Sequence, residues 1–192
     1  QRTPEDPVIC YALGSRLLDR DDDAGLVLIQ RAIALDDEAM LPGYEHMRDY
    51  CWRQKLEAAA HAWHDKLVAR SDLLARARAE RDRITLKDTF HPHALDISQE
   101  RQLRAQLLAI RGVRKVYLLR KQTQLFPEQP LYVLGFACTP WWGLFRRKRA
   151  DAIAQRIVDE VNLPGEIFCL NIDGDNYRFG RKFRWRRGVR VL

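Results

Sequence analysis

The sequence predicts an α+β chain in two parts: a helical arm over residues 1–83 and an α+β domain over residues 84–192. In the first part apolar residues recur at helical spacing, whereas the second alternates strand-like and helix-like segments. The charge changes nearby, since residues 1–96 carry 14 Lys/Arg and 18 Asp/Glu, a net −4, and residues 97–192 carry 19 and 8, a net +11. This asymmetry indicates two modules, of which the basic one is expected to face phosphates, lipid headgroups or an acidic partner.

Four helices are predicted in the arm. The first begins near Pro7 and stops at the acidic run from Asp19 to Asp23, and the second ends at Asp36. The third covers about Ala39 to Gln54. The fourth is unusually long, from Leu56 to about Arg83, and is expected to bridge to the second part.

The arm repeats itself after 34 residues, which is the tetratricopeptide period. Sliding it by that length places Leu17 on Cys51 and Gly25 on Ala59, and small residues let paired helices approach closely. The sequence therefore predicts tetratricopeptide-like hairpins, with an ordinary four-helix arrangement as the alternative. Such repeats usually need three or more copies, and because only two are visible, the exposed end is expected to dock on a partner.

The second part has the order β-α-β-β-α-β. The predicted strands and helices are Arg83–Lys87, a helix capped by Ser98, Val113–Leu119, Leu131–Cys138, Arg149–Asn162 and Ile167–Ile172. This order predicts a ferredoxin-like sandwich, with two helices on one face of an antiparallel sheet and the other face open to a partner. Residues 173–176 are predicted to form a turn, and the tail from Tyr177 to Leu192 to add an edge strand or remain extended.

No catalytic, cofactor or metal site is predicted, and an enzyme acting through this chain alone is not expected. The four cysteines are scattered without CxxC spacing and are expected to be reduced and buried. His91 and His93 flank Pro92 in a predicted interdomain loop, where they point in different directions, and residues 173–176 lack most ligands of a calcium loop. The chain has no His-Glu-x-x-His motif, no phosphate loop and no apolar run near the ~20 residues of a membrane span.

Two segments that combine aromatic and basic residues, 140–149 and 178–187, form the candidate contact surface. Indole rings favour a wet apolar boundary and each cation gains about 1 kcal/mol near anionic lipid, which indicates a membrane surface. Single-stranded nucleic acid is the less favoured partner, and packing of the Trp pair on the sheet edge with solvated arginines is the purely structural alternative. The candidate residues are Trp141, Trp142, Phe145, Arg146, Arg147, Lys148, Arg149, Arg181, Lys182, Arg184, Trp185, Arg186 and Arg187.

The paired helices, the segments 88–95 and 126–134 and the Trp141-Trp142 pair together resemble a known family. They are similar to the C-terminal, non-catalytic region of bacterial membrane zinc metallopeptidases of the heat-shock and CAAX-protease type. The resemblance implies a parent protein with transmembrane helices and a His-Glu-x-x-His zinc site upstream of Gln1. Because the chain starts with Gln1 and not Met, it is expected to be a fragment.

The resemblance implies an accessory role and transfers no catalytic residue to this chain. Any zinc would belong to the absent catalytic part. The repeats would bind a protein partner or substrate segment, and the basic module would lie on the anionic inner leaflet, on the cytoplasmic side. The alternative is a stand-alone adaptor or nucleic-acid-binding module that uses the basic aromatic tail.

Overall fold

The computed structural model of the chain describes residues 5–138, 146–173, 176–184 and 189–192. The chain divides into two compact units, Gln1–Ala77 and Arg78–Leu192, called unit 1 and unit 2 below. The described residues form seven α-helices and a four-stranded mixed sheet, with most helices toward the N-terminus and all strands toward the C-terminus. The α+β class predicted from the sequence is therefore confirmed.

The helices of the first part follow the apolar periodicity. Their bounds are Pro7–Asp19 (α1), Ala24–Leu35 (α2), Met40–Arg53 (α3) and Glu57–Arg81 (α4), with a 3-10 turn at Asp37–Ala39. α1 begins where it does because an Asp6 side-chain oxygen accepts hydrogen bonds from the backbone N–H groups of Val8 and Ile9, at 2.8 and 3.1 Å. The division between the units falls within α4, slightly before the boundary predicted at residue 83.

The helices of unit 1 are held together by apolar contacts. Its core cluster consists of Leu18, Ile29, Met47, Tyr50, Cys51 and Ala60. α1 and α2 lie close together at Gly14 and Gly25, because a Cβ added to Gly25 would come within 2.5 Å of the Gly14 carbonyl oxygen. The two glycines therefore make room for backbone-to-backbone packing of this helix pair.

Unit 2 contains the sheet. Its elements are Phe90–Pro92 (β1), Ile97–Ala109 (α5), Val113–Lys121 (β2), Leu131–Cys138 (β3), Arg146–Glu160 (α6), Glu166–Asn171 (β4) and Tyr177–Arg184 (α7). The strands lie in the order β1-β2-β3-β4, with β1 and β3 antiparallel to β2 and with β4 parallel to β3. The predicted strands at β2, β3 and β4 are confirmed within a few residues.

The predicted antiparallel sheet is wrong in one pairing. α6 is a crossover that returns the chain beside β3, so β3 and β4 are adjacent parallel strands. A split β-α-β unit would have another strand between them. The element order of a ferredoxin-like sandwich is present, but its strand pairing is not.

The predicted first strand at residues 83–87 is also wrong. The Asp88 carboxylate accepts hydrogen bonds from the Thr85 backbone N–H and hydroxyl, at 2.8 and 2.7 Å, which closes a turn there. The strand lies further on, at Phe90–Pro92, in the predicted interdomain loop, and pairs with Leu119–Lys121. The following helix is capped by Asp96 in a capping box with Gln99, and not by Ser98.

Both faces of the sheet are covered, which corrects the expectation of one open face. One apolar cluster lies between the sheet and residues of α5 and α6, including Leu107 and Ile157. A second cluster on the other face includes Phe90 and Phe183, the latter from α7. Gly135 in β3 leaves space for the Phe183 ring, since a Cβ there would lie 2.9 Å from it.

The tail contains a helix that the sequence did not predict. α7 occupies Tyr177–Arg184, and Val189–Leu192 then runs along β2. The Leu118 N–H donates to the Val189 carbonyl at 2.8 Å, and the Val191 N–H donates to the Val116 carbonyl at 3.0 Å. Only these last residues behave as the predicted extended edge.

Candidate functional site

α7 is a short amphipathic helix with a basic outer face. Its outward residues Tyr177, Arg178, Arg181 and Arg184 are exposed, whereas Gly180 and Phe183 are buried. These four outward residues are called the α7 face below. Because residues three or four apart share a side of a helix, the arginines form one continuous strip.

Apolar packing fixes the orientation of this helix. The Phe183 ring is fully buried and meets the Phe90 ring edge-on, with 5.5 Å between centroids. Phe179 lies beside Phe183 at 6.0 Å. The i, i+4 spacing of the two phenylalanines therefore turns the arginines outward.

Lys182, one of the predicted contact residues, is held by backbone carbonyls. Its ammonium donates hydrogen bonds to the backbone carbonyls of Leu86 and Asp88, both at 2.8 Å, and lies 4.8 Å from the centre of the Phe90 ring. These bonds tie α7 to the turn before β1. Lys182 therefore anchors the helix, and its predicted contact role stays a prediction.

The arginines of the α7 face create a positive local potential. Arg178 Nε donates to the Tyr177 hydroxyl at 3.5 Å, and this bond, the Arg178 charge and the Arg181 charge lower the pKa of Tyr177. A shallow cavity of about 480 Å³ lies between Tyr177, Arg178, Arg181 and Lys182. No acidic side chain in the described part of the chain pairs with Arg181 or Arg184. Guanidinium groups arranged in this way suit phosphate oxygens.

The structure describes only some of the predicted contact residues. Arg181 and Arg184 lie together on the α7 face, and residues 146–149 form the start of α6. Trp141, Trp142, Phe145, Trp185, Arg186 and Arg187 lie outside the described residues.

Two members of the face, Tyr177 and Arg178, were not among the predicted site residues. The signal that finds them is the spacing of Phe179 and Phe183, which predicts a helix and therefore places Arg178 beside Arg181.

A second polar cluster in unit 2 surrounds the buried Lys121. Its ammonium donates to the Glu80 and Arg83 carbonyls at 2.6 and 2.7 Å and lies 3.3 Å from an Asp88 carboxylate oxygen. Burial raises the pKa of Asp88, but the hydrogen bonds from Thr85 and the Lys121 charge outweigh it, so the pKa is lowered. The cluster borders a cavity of about 440 Å³.

Arg81 and Glu80 extend this network to the loop before β3. Arg81 donates to the Phe126 and Gln129 carbonyls at 3.0 and 2.8 Å, and the Glu80 carboxylate accepts the backbone N–H of Gln124 at 2.7 Å. Because the Lys121 ammonium is already surrounded by oxygen partners, it holds these segments in place and is not available to a ligand.

Metal-binding, membrane-spanning and reactive-thiol features are other kinds of site that a chain like this could carry. No group of three or more His, Cys, Asp or Glu side chains within the described ranges is placed to hold a metal ion. None of the described helices combines the length and apolar character needed to cross a bilayer. Burial raises the pKa of the Cys169 thiol to about 12, so it is protonated at neutral pH.

The chain was compared with known protein families and with curated proteins. No family model matches it, and no curated protein shows significant similarity.

Proposed function

We propose that this chain is a non-catalytic interaction module whose α7 face contacts an anionic membrane surface. The observation that supports the proposal is the strip of Arg178, Arg181 and Arg184, held outward by buried Phe183. An oriented set of cations gains from each nearby anionic lipid and requires no ordering of the helix on binding. The exposed Tyr177 ring is of the kind that favours the headgroup region.

The orientation of α7 favours a membrane over single-stranded nucleic acid. Binding to single strands relies on aromatic rings that stack on bases as well as on cations. In α7 the Phe183 ring is buried and Phe179 packs against the same apolar cluster, which leaves Tyr177 as the one exposed aromatic ring among the described residues of this helix. Nucleic acid therefore remains the alternative partner.

We further propose that the helices of unit 1 are tetratricopeptide-like hairpins that bind a protein partner or a substrate segment. The close approach of α1 and α2 at Gly14 and Gly25 supports this, as does the exposure of Ile9 and Leu13 on α1. The parent protein would be a membrane zinc metallopeptidase of the heat-shock and CAAX-protease type, with this chain on the cytoplasmic side. That part of the proposal depends on the segment resemblance alone.

Co-sedimentation with liposomes tests the membrane proposal. The wild-type chain is expected to bind vesicles containing anionic phosphatidylserine and to be released as salt is raised, because screening weakens each contact. Arg178→Gln, Arg181→Gln and Arg184→Gln combined should remove most of this binding.

A matched triple variant controls for net charge. Arg101→Gln, Arg104→Gln and Arg111→Gln also remove three exposed charges, but on or just after α5, whose core residues pack on the other face of the sheet. This variant should bind like the wild type. Equal losses of vesicle binding in the two variants would show that net charge, and not the α7 face, determines binding. Binding to neutral vesicles but not to anionic ones would contradict the proposal. Stronger retention by a single-stranded oligonucleotide than by anionic vesicles would favour the nucleic-acid alternative.

A further inference from the structure

The outer edge of β4 is an open strand edge in the described part of the chain. Among the described strands, β4 ends the sheet and pairs with β3 alone. The backbone N–H groups of Glu166 and Ile172 donate to carbonyls of the β3 segment, at 3.1 and 2.9 Å, and this sets the phase of the parallel ladder. The even-numbered residues therefore bond to β3, and the peptide groups of Ile167 and Cys169 face outward.

This edge lacks the features that usually protect a sheet edge. Residues 167–170 carry no charge and no proline, and their register with β3 has no bulge. Their side chains are half-buried. The open stretch ends at Asn171, whose carbonyl accepts a hydrogen bond from the Asn176 side chain at 3.1 Å.

The chemistry of the edge specifies an extended polypeptide as its occupant. Outward peptide groups two residues apart match the hydrogen-bonding period of another strand. The side chains of Ile167 and Cys169 pack toward one apolar cluster, and those of Phe168 and Leu170 pack toward the other. An added strand would therefore find apolar contacts on both sides of the sheet.

Net charge favours a segment of another protein over a second copy of this chain as the occupant of this edge. Residues 78–192 carry 23 Lys/Arg and 12 Asp/Glu, a net +11, so two copies of unit 2 would repel each other. An acidic segment would be attracted by the same net positive charge. We propose that the outer edge of β4 binds an extended, acidic segment of another protein by strand addition.

A synthetic peptide of alternating valine and glutamate is the probe. Fluorescence anisotropy should show that it binds the full chain. A peptide of the same sequence, N-methylated at two adjacent central residues, loses a donor on both of its edges. It should bind about fivefold more weakly, since the one backbone hydrogen bond lost at the bound edge is worth about 1 kcal/mol. Equal affinities, or no binding of the unmodified peptide, would overturn strand addition.

Two variants at one position locate the contact. Cys169→Pro removes an outward N–H without touching the ladder to β3, whereas Cys169→Ala keeps that N–H. The proline variant should lose about fivefold in affinity, and the alanine variant should match the wild type. If the proline variant does not fold, amide hydrogen exchange of the wild type decides: the Ile167 and Cys169 amides should gain protection with the peptide, and unchanged exchange there would overturn the site.

The choice of occupant has its own test. A valine–lysine peptide should bind more weakly than the valine–glutamate peptide, and the difference should shrink in high salt. Sedimentation of the chain alone should show no concentration-dependent dimer. A dimer that protects the Ile167 and Cys169 amides without peptide would assign the edge to a second copy and contradict the proposal.

Discussion

The two units bury different kinds of side chains in their interiors. Unit 1 buries apolar side chains such as Ile29 and Met47, and none of its described charged residues is buried. Unit 2 buries Arg81 and Lys121 in addition to two apolar clusters. The difference follows from the backbone, because a helix pairs its own carbonyls, whereas irregular segments must find donors elsewhere.

The carbonyls that need donors lie in the connections of unit 2. Lys121 supplies hydrogen bonds to the chain around Arg83, and Arg81 supplies them to the loop at Phe126 and Gln129. In unit 1 the close approach of helices at Gly14 and Gly25 needs space and no donor. The stability of unit 1 is therefore expected to depend on the volume of the side chains at its helix contacts. The stability of unit 2 is expected to depend on its buried cations.

The largest expected effect comes from Lys121→Met. This change leaves the Asp88 carboxylate and two carbonyls without their buried donor, and breaking a buried ion pair costs about 3–5 kcal/mol. Hydrogen exchange of β2 and β3 amides should report that loss for unit 2, with little change in α2. Lys87→Met, at an exposed lysine lining the same cavity, is the control and should change little. Equal protection in the two variants would mean that the buried cation is dispensable.

Gly25→Ala should be the largest effect in unit 1. The added Cβ would lie 2.5 Å from the Gly14 carbonyl oxygen, so α1 and α2 must separate. Alanine gains up to about 1 kcal/mol of helix propensity, but overpacking of this kind costs about 1–3 kcal/mol, and a net loss of stability is expected. Urea unfolding followed through α2 amides measures it. Gln30→Ala, on the exposed side of α2, should stay within about 0.5 kcal/mol, and a stabilised Gly25→Ala chain would refute the packing argument.

The contrast between the units also explains what the sequence could predict. The helices of unit 1 and strands β2, β3 and β4 were found because apolar periodicity follows directly from which side is buried. α7 was missed because its seven basic and aromatic side chains suggested a tail, although Phe179 and Phe183 have helical spacing. That spacing predicts a helix, and a helix places the arginines of the α7 face on one side.

Other features carry no local signal. β1 is three residues long and contains Pro92, and it is a strand only because Leu119–Lys121 pairs with it. Lys121 ends an apolar strand and would be expected to reach water, but carbonyls distant in sequence surround it. The parallel pairing of β4 depends on the path of α6. Such features are set by tertiary contacts, which a single sequence does not display.

A smaller effect is expected from the protonation of Asp88 in unit 2. The pKa of Asp88 is lowered in the folded state, so its charged carboxylate is more stable there than in the unfolded state. This contribution is present above the unfolded pKa of about 3.9 and is lost as pH falls through the folded value. The stability advantage of the wild type over Asp88→Asn, measured on β2 amides, should therefore narrow below about pH 4. An advantage that stays constant from neutral pH to pH 3 would contradict a charged role for Asp88.

The smallest effect is expected from an ion pair that lies in water. Arg156 and Glu160 form a hydrogen-bonded pair on α6, at 2.8 Å, with side chains 47% and 43% exposed. Water and salt screen such a pair, and both long side chains lose freedom to form it. Glu160→Gln should therefore leave the urea midpoint unchanged within error at physiological salt, unlike Lys121→Met in the same unit. A loss comparable with that of Lys121→Met would show that charge pairing in general, and not donors to buried carbonyls, distinguishes unit 2 from unit 1.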